Sequence, residues 1–302
     1  MNVLSSFARR SILKGVATAV SALALVYGSP LYAQIIPKKI AVYTDSIGDG
    51  GNVGRNATTA GGNPSGSVVS QYVSYPGYSN SPSDYNLALR IHQGSGSSDY
   101  DAQQFGASTL WGMMNGVRPD LSTTPPGTLP AFLGLTLVQH AAAVQADTVI
   151  IHLGGNDGVN EGIPEGSAYD AEEKTGQRIA ALGLALAAEG RRLVVIEAPY
   201  VVPEDAIAAF LDPVHPVASV EDVQKKYTQL TTHFPAVSRG ITNGVNAVNA
   251  TYPGFAARVN YWSNGAVPMN PGATHEGLHP TLGTHNAIAN AVAIQVKAWR
   301  GW

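Results

Sequence analysis

The sequence predicts an α/β protein, a three-layer α/β/α sandwich with a mainly parallel central sheet. Two observations carry that reading. The runs Ile40–Tyr43, Asp147–Leu153 and Arg192–Ala198 are short and apolar almost throughout, as strands covered on both faces must be. Stretches with helical spacing stand between and after them, and strands alternating with helices call for a parallel sheet with helices on both sides.

In chain order, Ala8-Arg9-Arg10-Ser11-Ile12-Leu13-Lys14 opens a leader-like segment: charge, then an apolar run from Val16 to Tyr27, then small residues near Ala33. This is the pattern of a signal peptide, and its apolar core is short for a membrane span. The paired arginines resemble a twin-arginine signal. Residues 1–33 are therefore set apart from the fold, the domain is expected over 34–302, and the mature protein is expected to be periplasmic or secreted, with no stable membrane span.

Strand 40–43 comes next. Residues 47–83 then form a long polar stretch rich in Gly, Asn, Ser and Thr, expected to be an insert or rim loop behind that strand. Asp84–Ile91 reads as a short helix, with Leu87 and Ile91 four apart. A helix over about 130–145 would bury Phe132, Leu133, Leu137 and Ala141. Strand 147–153 is followed by a helix over about 168–188, which Glu189-Gly190 can close with a left-handed glycine. Strand 192–198, a helix over 220–233, a fourth strand over 255–261 and a final helix over about 283–299 complete the order. No repeat or linker divides it.

Charge and composition narrow the chemistry. Lys+Arg 18 against Asp+Glu 21 leaves no basic stripe, so nucleic acid is not an expected partner. The absence of cysteine excludes disulfides and thiolate metal sites.

Four short blocks then stand out, in order. Thr44-Asp45-Ser46-Ile47 closes the first strand, where open α/β sheets place their ligand crevice. Gln104-Phe105-Gly106-Ala107-Ser108 is the second. Gly154-Gly155-Asn156-Asp157 follows the second apolar strand, and Thr274-His275-Glu276-Gly277-Leu278-His279-Pro280-Thr281 leads into the last helix. Together they resemble the blocks of the SGNH (GDSL-type) hydrolases. The resemblance implies Ser46 as nucleophile and His279 as its base, with Glu276 holding the imidazole. It implies an oxyanion hole of the Ser46 and Gly106 N–H groups and the Asn156 side chain, with Asp45 and Asp157 in support. Two departures from the family pattern stand in these blocks: Thr44 replaces a glycine, and Glu276 replaces the usual aspartate.

These residue types belong together chemically. A serine hydroxyl attacks only when a base takes its proton, and the oxyanion that results needs preorganised donors. The implied activity is hydrolysis of acyl esters, short-chain ones such as acetyl, with a small molecule or glycan as substrate and no cofactor. The same residues would serve an acyltransferase that delivers the acyl group to a glycan hydroxyl.

A rival pattern overlaps the fourth block. His275-Glu276-Gly277-Leu278-His279 fits the zinc-protease motif, with His285 at a third-ligand spacing. It needs a helix, and Gly277 and Pro280 both oppose one, the proline by about 3 kcal/mol; no metal is expected. The remaining histidines, His92, His140, His152, His215 and His233, show no partner spacing, and His152 is expected to lie in the core.

Overall fold

The computed structural model describes residues 39–45, 87–104, 108–120, 127–158, 170–211, 220–274 and 277–301. Its strands are β1 (Lys39–Thr44), β2 (Asp99–Gln104), β3 (Val117–Asp120), β4 (Gly127–Pro130), β5 (Thr148–His152), β6 (Arg192–Ile196) and β7 (Ala256–Val259). The helices are α1 (Leu87–Ser95), α2 (Leu110–Met114), α3 (Leu137–Ala143), α4 (Ala171–Ala188), α5 (Pro203–Leu211), α6 (Val220–Thr228), α7 (Phe234–Thr251) and α8 (Leu282–Arg300). The expected signal segment over 1–33, the expected insert over 47–83, Ser46, Gly106, His275 and Glu276 lie outside the described residues.

Five strands form one sheet in the order β2-β1-β5-β6-β7, and every neighbouring pair is parallel. The expected sandwich is present, and its main sheet is parallel throughout. Because the period of a strand is two, each strand divides its side chains between the two faces. Ala41, Tyr43, Val149, Ile151, Leu193 and Val195 enter one core, packed by α2, α3, α4 and α7. Ile40, Val42, Ile150, Val194 and Ile196 enter the other, packed by α1 and α8. That two-sided burial is why the strands read as unbroken apolar runs.

The chain turns to opposite sides of β1: β2 lies on one flank and β5 on the other. Ligands bind at such a switch point, outside the carboxyl ends of the strands. Register makes the edge level, since Thr44 stands opposite both Gln104 and His152.

On the first face α4 and α7 approach closely through glycines. A Cβ on Gly240 would lie 2.5 Å from the Glu172 carbonyl oxygen, and one on Gly244 2.6 Å from Ile179 Cβ. Glycine lowers helix propensity, and here it admits a neighbouring backbone in return.

Several elements differ from the sequence expectation, each for a local reason. The helix expected over 130–145 begins only at Leu137. Pro130 ends β4, Phe132–Gly134 is a 3-10 turn with Phe132 at φ 49°, and Thr136 caps the helix with Gln139 in a reciprocal box. The helix expected to stop at His233 continues. A π-turn over Gln229–His233, with the Phe234 N–H bonded to the Gln229 carbonyl, carries the chain past Pro235 into α7. Proline removes a donor and crowds the preceding turn, and the wider π-turn accommodates both effects. The β3–β4 hairpin and α5 stand outside the elements expected from the sequence. The fourth strand is confined to Ala256–Val259.

These contacts give a contrast. Gly240→Ala should destabilise the protein by about 1–3 kcal/mol, because the new methyl meets backbone that cannot yield. Gly283→Ala in α8, where a Cβ meets nothing within 4 Å, should be neutral or stabilising by up to about 1 kcal/mol. Urea denaturation of the two variants checks both signs.

Candidate active site

The level edge gathers three of the four blocks. Asp45, the first residue beyond β1, is almost completely buried. The half-buried Asn156 donates from Nδ2 to the Asp45 carboxylate at 3.3 Å and to the Ser108 carbonyl at 3.2 Å. One side-chain amide thus ties the turn after β5 to the end of β1 and to the segment after β2. Ser46 and Gly106 adjoin these residues in the chain but lie outside the described set.

Gly154 makes that turn possible. Its φ of +108° is accessible to glycine and costly for other residues, and the Asp157 N–H closes the turn on the Gly154 carbonyl at 3.3 Å. Asp157 is 1 % exposed and is fully engaged. Its carboxylate accepts the Leu110 N–H at 2.7 Å and the Trp111 N–H at 3.1 Å, and it pairs with Arg178 of α4. Thr109 caps the same helix start by accepting the Gly112 N–H at 2.8 Å. The block-three turn and the chain leading into α2 are therefore one hydrogen-bonded unit.

His279 is half-buried in the loop that enters α8. That loop is closed on itself: Thr274 and Pro280 form an antiparallel bridge, and the Thr281 N–H reaches the Ala273 carbonyl at 2.9 Å. Asp205, from the first turn of α5, holds it from outside, accepting from Gly272 N at 2.6 Å, Thr274 N at 2.9 Å and Thr274 Oγ1 at 2.6 Å. The Val202 N–H adds a bond to the Gly277 carbonyl at 2.8 Å. Gly277 has φ +92°, and a Cβ there would lie 2.7 Å from Ala206 Cβ. With that φ and the Thr274–Pro280 bridge, the segment is not the helix that the zinc-protease pattern needs to present His275 and His279 from one face.

Beneath this edge lies a buried polar layer. Glu197, fully buried at the end of β6, accepts the N–H groups of Tyr261, Trp262 and Ser263 on one oxygen and faces Arg258 with the other. His152 is buried at the end of β5, as expected of a core histidine. Burial pulls its pKa down to about 4; the Glu197 main chain opposes the shift and the nearby His285 adds to it. On the opposite face the Tyr43 hydroxyl meets His140 Nδ1 at 2.9 Å. Burial raises the Tyr43 pKa and lowers that of His140, so the tyrosine donates and the imidazole accepts.

The described residues thus bring Asp45, Asn156 and Asp157 together and place His279 on a braced loop. Sequence reasoning missed Asp205, Glu197, Arg178 and His233. Asp205 follows Pro203 and Glu204, a helix-start pattern that could have revealed α5. The others act on partners distant in the chain and leave no local signature.

Neither a protein-family model nor a curated protein sequence matches the chain. Solved structures do. A candidate GDSL-like lipase from Parabacteroides merdae aligns with TM-score 0.51 at 15% identity, over 86% of this chain and 95% of that one. A second solved structure aligns with TM-score 0.50 at 16% identity, over 87% of this chain and 99% of the other. The chain has the α/β fold of the GDSL-type, or SGNH, hydrolases.

Two measurements follow. Asp205→Asn should cost about 1–3 kcal/mol, since an amide places a donor against N–H groups that need acceptors. Hydrogen exchange should show the Gly272 and Thr274 amides losing protection first. For His152, the unfolded chain binds a proton near 6.5 and the native one only near 4, so the unfolded state binds more protons between them. Its contribution is present above pH 6.5 and is lost as pH falls towards 4, a total of about 3 kcal/mol. Denaturation midpoints between pH 7.5 and 4.5 should fall less steeply in His152→Leu than in the parent.

Proposed function

We propose that this protein is an exported serine esterase that cleaves short acyl groups, such as acetyl, from hydroxylated substrates of carbohydrate type. The observation that carries this reading is the Asn156 amide, held between the Asp45 carboxylate and the Ser108 carbonyl. It supports an oxyanion site where three blocks of the SGNH pattern converge, at the residue that precedes Ser46 in the chain.

The proposed roles follow from the four sequence blocks. Ser46 attacks the ester carbonyl while His279 takes its proton, and Glu276 orients the imidazole and stabilises its charged form. The Ser46 and Gly106 N–H groups and the Asn156 amide stabilise the tetrahedral oxyanion. The proton returns through His279 to the departing alcohol, and water then releases the acyl group from Ser46. Trp111, 46 % exposed and tied through its main-chain N–H to Asp157, offers an aromatic face for a sugar ring near the site. The leader pattern over 8–33 supports export to the periplasm or beyond.

The test is a panel of p-nitrophenyl esters together with an organophosphonate label. The parent should hydrolyse acetate and take up one label on Ser46, seen by peptide mass spectrometry. Ser46→Ala should lose both, while Asn156→Ala should bind substrate but lose about 10²–10³ in kcat. Turnover retained by Ser46→Ala would overturn the assignment. Adding an acceptor glycan separates the reactions: acyl-glycan formed in place of free acid would make the protein a transferase.

A further inference from the structure

The π-turn between α6 and α7 sets a side chain against the oxyanion turn from a distance in sequence that no motif reveals. His233, last residue of that turn, places Nε2 3.0 Å from the Gly155 carbonyl oxygen. A carbonyl only accepts, so Nε2 carries the proton and donates. Burial lowers the pKa of this histidine, which keeps the ring neutral at neutral pH.

The Gly155 carbonyl and the Asn156 N–H belong to one planar peptide unit, so a bond to the oxygen fixes the orientation of the whole plane. Such fixing is needed here. Two consecutive glycines precede Asn156, and glycine imposes little conformational preference of its own. Phe234, the next residue along, lines the same spot: a Cβ on Gly155 would come within 3.3 Å of its ring. On the far side, the Asp157 carboxylate is clamped to α2 and Arg178. Asn156 therefore stands between two anchors, one of which is supplied by the π-turn.

We propose that His233 is a positioning residue: through its bond to the Gly155 carbonyl it holds the Asn156 amide in the orientation that meets the oxyanion. The proposal rests on the esterase reading above, in which Asn156 is an oxyanion donor. Pro235 is part of the device, because it interrupts the long helix and the widened turn brings His233 onto Gly155. His233 touches neither substrate nor reacting atoms; its effect passes through Asn156.

A double-mutant cycle tests it, with p-nitrophenyl acetate as substrate and phosphonate titration counting competent sites. His233→Leu should lower kcat per titrated site about 10- to 100-fold with KM little changed, since small misplacements of a catalytic group cost that much. His233→Gln, whose amide can donate to the same carbonyl, should keep most of the rate. In the Asn156→Ala background, His233→Leu should have almost no further effect on kcat, because the two act as a unit. Parental kcat in His233→Leu, or full additivity with Asn156→Ala, overturns the proposal and leaves the esterase reading intact. A kcat in His233→Gln as low as in His233→Leu also overturns it, by showing that the donated hydrogen bond is not what matters. If the parent itself neither turns over ester nor takes the label, the esterase reading fails and this proposal fails with it.

Discussion

A carboxylate withdrawn from water must find donors, or it costs several kcal/mol. Among the described residues, Asp157, Glu197 and Asp205 are three of the buried carboxylates along the carboxyl edge of the sheet or in the loops beyond it, and much of the architecture follows from satisfying them. Asp157 takes main-chain N–H groups from the start of α2, Glu197 from the segment after β7, and Asp205 from the loop before α8. Each reaches a loop far away in sequence. Moving any of these loops would leave a buried charge without its hydrogen bonds, so their geometry is enforced by the cost of the alternative. Loops normally supply reactivity at the expense of order. Here the order is returned by anionic staples.

The bracing suits the acyl transfer proposed for this site. Stabilising a transient oxyanion requires donors that do not have to reorganise when the charge forms. Asn156 occupies a turn fixed by Gly154, by the Asp157 carboxylate and by the Gly155 carbonyl bond, so only one of its two long amide bonds, to Asp45 or to Ser108, has to be exchanged for the oxyanion. The His279 loop is an independent unit tied down by α5. The two halves of the candidate site are thus held by separate networks, one linking the segments after β1, β2 and β5 and the other tying the His279 loop to the segment after β6.

How much of this could be read from the sequence depended on whether the determinant was local. The strands around Ile40, Ile150 and Val194 were legible because burial on both faces demands an unbroken apolar run, and the fold class followed. The turn after β5 was legible because its Gly, Asn and Asp residues are chemically conspicuous. The start of α3 was misplaced because Pro130 and Phe132 belong to a hairpin end and a tight turn, which the apolar spacing of Phe132, Leu137 and Ala141 concealed. α7 was unreadable beyond Pro235, because proline ordinarily ends a helix and Gly240 and Gly244 dilute its apolar stripe. Those glycines make sense only once α4 is seen against them. His233 was passed over because its partner is a main-chain carbonyl, and any residue has one.

The order of the strands has a further consequence, for the way the chain must assemble. β1 is among the most thoroughly buried strands, yet Ile40 pairs with Tyr100 on one side and with Thr148 on the other. Neither neighbour is made until long after β1 itself during synthesis. Until β5 arrives, the apolar residues of Ile40–Tyr43 have no completed sheet to enter, and closing such long loops delays the reward of pairing. The strand that presents the candidate nucleophile is thus the one left waiting longest, and a nascent chain of this topology depends on its later half to protect its earlier one.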